Sequence, residues 1–214
     1  MDIRRSIRFR LDRFLTPDPL ELAAEAGVRI GADVRLAAGS SFGGHATTTI
    51  GDHTWFAGPV TVDGEGRADF GRWVAIGTGL AIITSDHDVT ATSLHFGLAD
   101  LVGLDRPIGT VGHVTVGNGS WIGDRVTILC GGAVGDGAIV GAGSIVTKPV
   151  PPFSIAVGAP ARVVRRRFPD AMVTTLLDLA WWDWDDDRIR RNRRFFAADP
   201  ATLDPQQLRE LVIE

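Results

Sequence analysis

The sequence predicts an all-β fold, a parallel β-helix in which short strands stack as a solenoid. The main observation is a six-residue repeat between residues 116 and 150, with an aliphatic residue at every sixth position and usually a glycine after it. The aliphatic residues are Val116, Ile122, Ile128, Val134, Val140 and Val146. In addition, a small or β-branched residue stands four positions after each of them. Neither a helix nor an alternating strand has this period, whereas a fixed short repeat is typical of a solenoid.

Each six-residue unit supplies one short strand and one turn, and three units complete a triangular coil. The aliphatic side chain points inward and stacks on the equivalent side chain of the next coil, so each coil contacts chiefly its neighbours. Glycine, asparagine and aspartate occupy the corners, where tight turns require unusual backbone angles. The corners therefore account for much of the high glycine content of 26 residues.

Composition narrows the class of protein. A chain of 214 residues suits one domain with appendages. Its formal net charge of −4 gives no electrostatic reason to expect nucleic acid, and no apolar run is long enough to predict a membrane span. The single cysteine, Cys130, excludes an intrachain disulfide and is consistent with the cytoplasm.

Taken in order, residues 1–27 are predicted to form an N-terminal helical segment. Apolar residues between Ile3 and Leu15 have helical spacing, prolines end that helix, and a short second helix follows over residues 20–26. The β-helix domain is predicted over residues 28–164. Within it the repeat shifts by two residues before Ile50 and again before Phe70, which predicts small bulges at corners.

The repeat is interrupted by a loop over about residues 88–109, which fits no hexad. This segment is rich in apolar side chains and starts directly after His87. Long loops that leave a regular scaffold are usually functional. We therefore expect the functional site beside this interruption.

The C-terminal part is predicted to be helical. Residues 165–196 carry apolar side chains at helical spacing and a group of tryptophans, Trp181, Trp182 and Trp184. Such aromatic residues are expected to pack a helical cap against the solenoid or a partner chain. Residues 197–214 are predicted to form a polar tail.

Three segments resemble the hexapeptide-repeat acyltransferases, namely residues 116–123, 135–148 and 150–161. The Trp-Trp-Asp-Trp segment at residues 181–184 is similar to the xenobiotic acetyltransferase branch of that family. The branch includes chloramphenicol and streptogramin acetyltransferases of the β-helical type and related sugar O-acetyltransferases. The resemblance implies a left-handed β-helix, a homotrimer, and acetyl-CoA bound in clefts between adjacent subunits.

The resemblance also implies that His87 is the catalytic general base. A histidine suits this task because its ordinary pKa of about 6.5 lies close to the operating pH. Asp86 or Asp88 is a candidate to orient the ring, and a backbone carbonyl could do so equally well. Together with these two aspartates, His95 and Phe96 in the loop are candidate substrate-binding residues. His45, His53 and His113 are given no functional role.

For the acetyl-CoA cosubstrate, the resemblance points to six binding residues along the coil edge. They are Trp121, Gly123, Ala142, Thr147, Lys148 and Arg165. Glycine and alanine allow a ligand to approach the backbone closely. Lys148 and Arg165 supply positive charge for the phosphates of CoA. No metal is expected.

The sequence does not determine which molecule accepts the acetyl group. The resemblance implies O-acetylation of a saccharide or an antibiotic-like acceptor, and the alternative is N-acetylation of an amino sugar. The loop has Thr92-Ser-Leu-His-Phe where the antibiotic-modifying members tend to have an aromatic and proline motif after the histidine.

Two other classes of protein are alternatives to an acetyltransferase. A zinc carbonic anhydrase of the β-helical type would need three convergent histidines, two of them five residues apart, and no histidine pair here has that spacing. A non-catalytic scaffold built on the same solenoid is the remaining alternative.

Overall fold

The computed structural model describes residues 18–214. The predicted helix between Ile3 and Leu15 lies outside these residues. The described chain opens with helix α1 (Pro19–Glu25), which agrees with the short second helix expected there. Asp18 caps its first turn, and Gly27 follows its end with a φ of 81°.

Three sheets form the walls of a triangular parallel β-helix. Sheet A contains β1 (Arg29–Ile30), β3 (Thr47–Ile50), β6 (Arg67–Phe70), β11 (His113–Val116), β14 (Ala133–Val134) and β17 (Pro149–Val150). Sheet B contains β4 (Trp55–Phe56), β7 (Ala75–Ile76), β12 (Trp121–Ile122), β15 (Ile139–Val140), β18 (Ser154–Val157) and β19 (Arg162–Arg166), of which β19 is antiparallel. Sheet C contains β2 (Ser41–Phe42), β5 (Val60–Asp63), β8 (Leu80–Ile83), β13 (Thr127–Ile128) and β16 (Ile145–Val146). The chain passes from sheet A to B to C and back, so the predicted β-helix is confirmed.

The interior of the coil stack is built from the repeat itself. The six aliphatic residues that define the repeat are at most 2% exposed. The residues four positions later share this interior, since Ser120, Val126, Ala138 and Ser144 are at most 1% exposed. Backbone hydrogen bonds connect successive coils, for example from Gly123 N to Val140 O at 2.8 Å. Burial of apolar area and these backbone bonds therefore hold the stack together.

The two-residue shifts of the repeat are not corner bulges, so that prediction was wrong. The extra residues lengthen strands, because β3 and β6 have four residues where most later strands have two. Equivalent residues of successive coils are accordingly 20 apart in the N-terminal part, 18 apart after the loop and 16 apart in the final coil. Two residues are one full period of a strand, so the alternation of inward and outward side chains is preserved.

The interruption of the repeat starts and ends with a pair of antiparallel strands. Strand β9 (Ser85–His87) continues from the end of sheet C and pairs with β10 (Ile108–Val111), after which the chain re-enters sheet A. Between them lies helix α2 (Phe96–Val102), which ends at Gly103 with a φ of 69°. The sequence did not predict this helix, because a helix of seven residues is too short to show a clear period.

The C-terminal cap has its own core. It comprises α3 (Asp170–Leu179), a 3₁₀ turn (Trp181–Asp183), α4 (Asp186–Arg191), α5 (Arg193–Ala197) and α6 (Pro205–Glu210). Trp182 and Trp184 are buried in it, as is Leu208 of α6. The final residues thus differ from the expected polar tail, since they pack into the cap. Within residues 18–214, no helix combines the length and the apolar character needed to cross a membrane.

Candidate active site

His87 lies at the corner between sheets C and A, at the end of β9. Its register partner across the antiparallel pair is Ile108. The residue is exposed, and its ring packs on Phe96 with centroids 4.9 Å apart and planes inclined by 34°. Among residues 18–214, no side chain is within hydrogen-bonding distance of the imidazole. Phe96 therefore supports the His87 ring, and the two imidazole nitrogens are available to other partners.

The two aspartates beside His87 have different surroundings. Asp88 Oδ1 accepts hydrogen bonds from the backbone N–H of Thr90 at 2.9 Å and from its hydroxyl at 2.7 Å. These two hydrogen bonds lower the pKa of Asp88. Burial, and then the negative charge of Asp86, raise the pKa of the Cys130 thiol, which lies at the same corner one coil further on. Asp88 therefore shapes the turn after His87, while Asp86 is exposed and close enough to Cys130 for its charge to act on the thiol.

The loop residues His95 and Phe96 are placed by helix α2. His95 is its N-cap, and its Nδ1 accepts a hydrogen bond from Leu98 N at 3.2 Å. The guanidinium of Arg106 lies 5.5 Å from the Phe96 ring centre and is paired with Asp100 at 3.1 Å. Sequence reasoning missed Arg106, which a cation–π contact connects to the aromatic support of His87.

Two of the predicted cosubstrate residues share the corner of His87. Thr147 and Lys148 follow β16, and β16 lies two strands along sheet C from β8, which leads to His87. At the usual strand spacing this is about 10 Å along the stack. Lys148 is exposed and Thr147 is half-buried.

The remaining four cosubstrate candidates lie elsewhere. Trp121 and Arg165 are on sheet B, while Gly123 and Ala142 form the corner between sheets B and C. At Gly123 a side chain would be blocked, because a Cβ there would come within 2.5 Å of Ala142 N. Close stacking of the two corners thus already requires this glycine, with or without a ligand.

Sheet B presents a continuous row of outward residues in register across its strands. In order, the row is Arg165, Ile155, Ile139, Trp121, Ala75, Trp55 and Arg35. Six strand-to-strand steps correspond to about 29 Å. An arginine stands at each end, and apolar side chains fill most of the length between them.

Two exposed tryptophans flank a groove within this row. Trp55 is 49% exposed and Trp121 is 55% exposed, with the small Ala75 between them. They border a cavity of about 430 Å³. The guanidinium of Arg35 lies 3.7 Å above the Trp55 ring. Sequence reasoning missed Trp55, although it occupies the same hexad position after Ile50 as Trp121 does after Val116.

A single chain therefore presents the predicted site residues as two separate groups. His87, Thr147 and Lys148 are at the corner between sheets C and A. Trp121 and Arg165 are on the face of sheet B. Sheet C separates the two groups within one subunit.

His53, which was given no role, connects the solenoid to the cap. Its Nδ1 is 3.6 Å from Asp33 and its Nε2 is 3.3 Å from Asp186, while its ring stacks on Trp73 at 4.0 Å. The carboxylates of Asp33 and Asp186 and the imidazole of His53 lie close enough together to be considered as metal ligands. The ring presents a different nitrogen to each carboxylate, which is the geometry of a bridging contact between side chains. No group of three histidines, as a carbonic anhydrase requires, occurs within residues 18–214.

The chain is similar in sequence to acetyltransferases. It is 32% identical over 136 residues to a chloramphenicol acetyltransferase of Agrobacterium fabrum, covering 60% of this chain and 65% of that protein. It is 42% identical over 88 residues to a probable macrolide acetyltransferase of Lysinibacillus sphaericus, covering 41% of this chain and 49% of that protein. The matched segments thus span between about half and two thirds of these curated relatives. No family model matches the chain.

Solved structures show the same architecture. A galactoside acetyltransferase in complex with coenzyme A is 25% identical, with a TM-score of 0.52 and coverage of 69% of each chain. A hexapeptide-repeat acetyltransferase of Vibrio cholerae, at 24% identity and a TM-score of 0.56, covers 77% of this chain and 89% of its own and supports the fold alone. The resemblance to the hexapeptide-repeat acetyltransferases, predicted from the sequence, is thereby confirmed.

Proposed function

We propose that the protein is an acetyl-CoA-dependent acetyltransferase that transfers the acetyl group to a hydroxyl of a saccharide or antibiotic-like acceptor. The observation that carries this proposal is an exposed imidazole, supported by Phe96, at the point where the coil stack is interrupted. The acetyltransferase names of the relatives support the same reaction class. The proposal keeps the cytoplasmic location that the sequence predicted. The single cysteine supports this location, because proteins of reducing compartments do not rely on disulfides.

The proposed cosubstrate site combines the row on sheet B of one subunit with the corner between sheets C and A of the next subunit. Arg165 would meet the CoA phosphates at one end, while Trp121 would contact the pantetheine arm. Lys148 and Thr147 would add contacts from the corner that also carries His87. This arrangement is supported by the mixed character of the row, which is cationic at its end and apolar along its length.

A homotrimer would bring the two groups of residues together. The loop exposes large aliphatic side chains, with Val89 at 86%, Leu101 at 81% and Leu104 at 69%. Such a cluster of exposed apolar residues favours a protein contact. If the loop of one subunit covers the sheet B face of the next, His87 of the first subunit faces the acetyl-CoA held by the second. Closed cyclic symmetry would then repeat this cleft at each interface.

In the proposed reaction, His87 moves the proton. Its neutral imidazole accepts the proton of the acceptor hydroxyl while the oxygen attacks the thioester carbonyl carbon. The carbon–sulfur bond then breaks, and the imidazolium returns the proton to the departing thiolate. Contact with Phe96 would restrict rotation of the ring, which favours a productive orientation.

The groove between Trp55 and Trp121 is the proposed acceptor site. Tryptophan faces offer apolar area to a sugar ring or to a flat antibiotic ring, and the Arg35 guanidinium beside Trp55 can donate hydrogen bonds to oxygen atoms. Because the groove continues from Trp121, an acceptor bound there would lie next to the acetyl end of the donor.

An acceptor screen tests the proposed function. Purified protein would be incubated with acetyl-CoA and a panel of saccharides, hydroxylated antibiotics and amino sugars, and release of the CoA thiol would be followed. We expect acceptor-dependent release with at least one hydroxyl compound, and its loss in the His87→Ala variant. Release only with amino sugars would establish N-acetylation instead. No acceptor-dependent release, or release unaffected by His87→Ala, would contradict the proposal.

A further inference from the structure

A cavity of about 230 Å³ lies between the C-terminal cap and the solenoid, away from the proposed acceptor groove. Aromatic and aliphatic side chains form most of its wall. Prominent among them are Phe153, Phe168, Leu176, Trp181, Phe195 and Phe196. The cavity has room for a single ring or a short chain, which is smaller than the usual drug-sized pocket.

Of the residues between 18 and 214 that line this cavity, Arg167 is the one that carries a charge. Its Nη1 donates a hydrogen bond to Gly137 O at 2.6 Å, and its guanidinium lies 5.6 Å and 5.1 Å from the rings of Phe153 and Phe168. Within residues 18–214, no carboxylate is within ion-pair distance of it. Burial, and then the charge of Arg165, lower the pKa of Arg167.

A partly buried guanidinium without an anionic partner is unfavourable, because it has lost water without gaining a counter-charge. The two cation–π contacts and the single backbone hydrogen bond offset only part of this loss. An anion beside Arg167 would complete its hydrogen bonds in a bidentate manner. The apolar wall would bury the rest of the same molecule.

We propose that this cavity binds a small organic acid, with its carboxylate on Arg167 and its apolar ring or chain against the aromatic wall. An adjoining cavity of about 450 Å³ shares Arg167 and Phe168 and is also lined by Arg165 and Asp199. The acid would therefore bind next to the proposed phosphate end of the acetyl-CoA site, but beneath the cap. The inference does not depend on the proposed function, because it concerns a different cavity and needs no catalysis.

Titration calorimetry with phenylacetate tests this site, with phenylacetamide as a neutral probe of nearly the same shape. At constant ionic strength, we expect phenylacetate to bind at least ~10-fold more tightly than the amide, because only the acid forms a charge-assisted hydrogen bond. The Arg167→Met variant should lose this preference. The Arg167→Lys variant should retain part of it, since lysine keeps the charge without the bidentate geometry. Arg193→Met removes an exposed arginine of the same cap and should bind phenylacetate like the wild type.

Each possible result of these titrations either supports or overturns the proposed binding of an organic acid. Equal affinity for acid and amide, no binding of either at millimolar concentration, or an unchanged preference in Arg167→Met would each overturn the proposal. If Arg167→Met does not fold, the acid-to-amide ratio in the wild type and in Arg167→Lys decides. Saturating CoA should leave the affinity for phenylacetate within about threefold; displacement by CoA would instead assign Arg167 to the cosubstrate site.

Discussion

The sheet B face and the base of the ejected loop are built in opposite ways. On sheet B, each outward residue belongs to a ladder whose neighbours repeat the same geometry, so Trp55, Ala75 and Trp121 are aligned by strand pairing. At the loop, His87 depends on one antiparallel pair, one aromatic contact and a seven-residue helix. A repeat can extend a binding surface, whereas an interruption of the repeat can place a side chain that has no equivalent in the neighbouring coils, as it does with His87.

This difference between the sheet B face and the loop base also distinguishes substrate binding from proton transfer in the proposed reaction. Binding groups on a stacked sheet are held by many neighbours, whereas loops vary and move more readily without disturbing the scaffold. We therefore expect changes at the loop base to affect turnover, and changes on sheet B to affect affinity.

The largest effect is expected for His87→Ala. Among the described residues, the side chain that contacts the His87 ring is Phe96, which cannot accept a proton. Removal of the imidazole should therefore lower turnover by ~10²–10⁴-fold while the fold stays intact. Steady-state kinetics and circular dichroism would measure the two quantities. His113→Ala is a matched control, because His113 is also exposed but lies in a strand of sheet A, and it should retain most activity. Near-native turnover of His87→Ala would remove His87 from the mechanism.

A mixing experiment tests whether the two surfaces meet between subunits. His87→Ala chains and Trp121→Ala chains would be unfolded together, refolded and assayed at low acetyl-CoA. If each site takes His87 from one subunit and Trp121 from the next, random mixing of equal amounts gives both wild-type residues to about one quarter of all sites, which is about one third of the sites in the mixed trimers. Activity should therefore exceed that of either variant alone. An activity equal to the average of the two variants would show that each site lies within one chain.

Trp55→Ala should separate acceptor binding from donor binding. Loss of the aromatic face should raise the KM for the acceptor by ~10-fold, since an aromatic contact contributes about 0.5–1.5 kcal/mol beyond its buried area. The KM for acetyl-CoA should change little. Trp121→Ala is the comparison variant, and it should raise the KM for acetyl-CoA as well, because Trp121 borders the groove and would also contact the pantetheine arm. Equal effects of Trp55→Ala on both substrates would argue against the groove as the acceptor site.

The smallest effect concerns the strand by which the chain re-enters the solenoid after the loop. Asp69 on β6 contacts His113 on β11 at 2.7 Å and Arg67 at 2.7 Å. Burial alone would raise the pKa of Asp69, but the hydrogen bonds from Arg67 and His113 outweigh it, so the pKa is lowered. A lowered folded-state pKa contributes stability above the unfolded value of about 3.9, and this stability is lost as the pH falls through the folded-state pKa.

Asp69→Asn should therefore lower the free energy of unfolding at pH 7 by less than ~1 kcal/mol, as partly exposed ion pairs do. At a pH below the folded-state pKa, the difference between variant and wild type should shrink. Urea unfolding at several pH values would measure it. A stability difference that does not depend on pH would show that the carboxylate charge is not responsible.

Much of the fold could be predicted from local pattern because a solenoid repeats one local interaction. The inward position of Ile122 follows from its place in the hexad, and its complete burial agrees. The corner shifts were misinterpreted for the same reason: a two-residue insertion has the same spacing in a turn and in a strand. Strand pairing decides between them, and the pairing partner is 20 residues away.

The candidate site was less predictable. His87 could be singled out because it stands where the repeat stops, and Trp121 because of the resemblance. The contact between His87 and Phe96 and the alignment of Arg35 with Trp55 depend on how separate segments pack, and the capping role of His95 depends on a helix too short to show a clear period. No short-range period contains that information.

Periodicity in the chain is enough to establish the stack of coils, its aliphatic interior and the place of its single long interruption, because these depend on contacts between equivalent positions of neighbouring coils. The division of the site residues between two surfaces follows from the triangular cross-section of the coil. The cavity around Arg167 exists because an irregular cap packs on a regular solenoid, and a mismatch between two such surfaces can be found only in three dimensions.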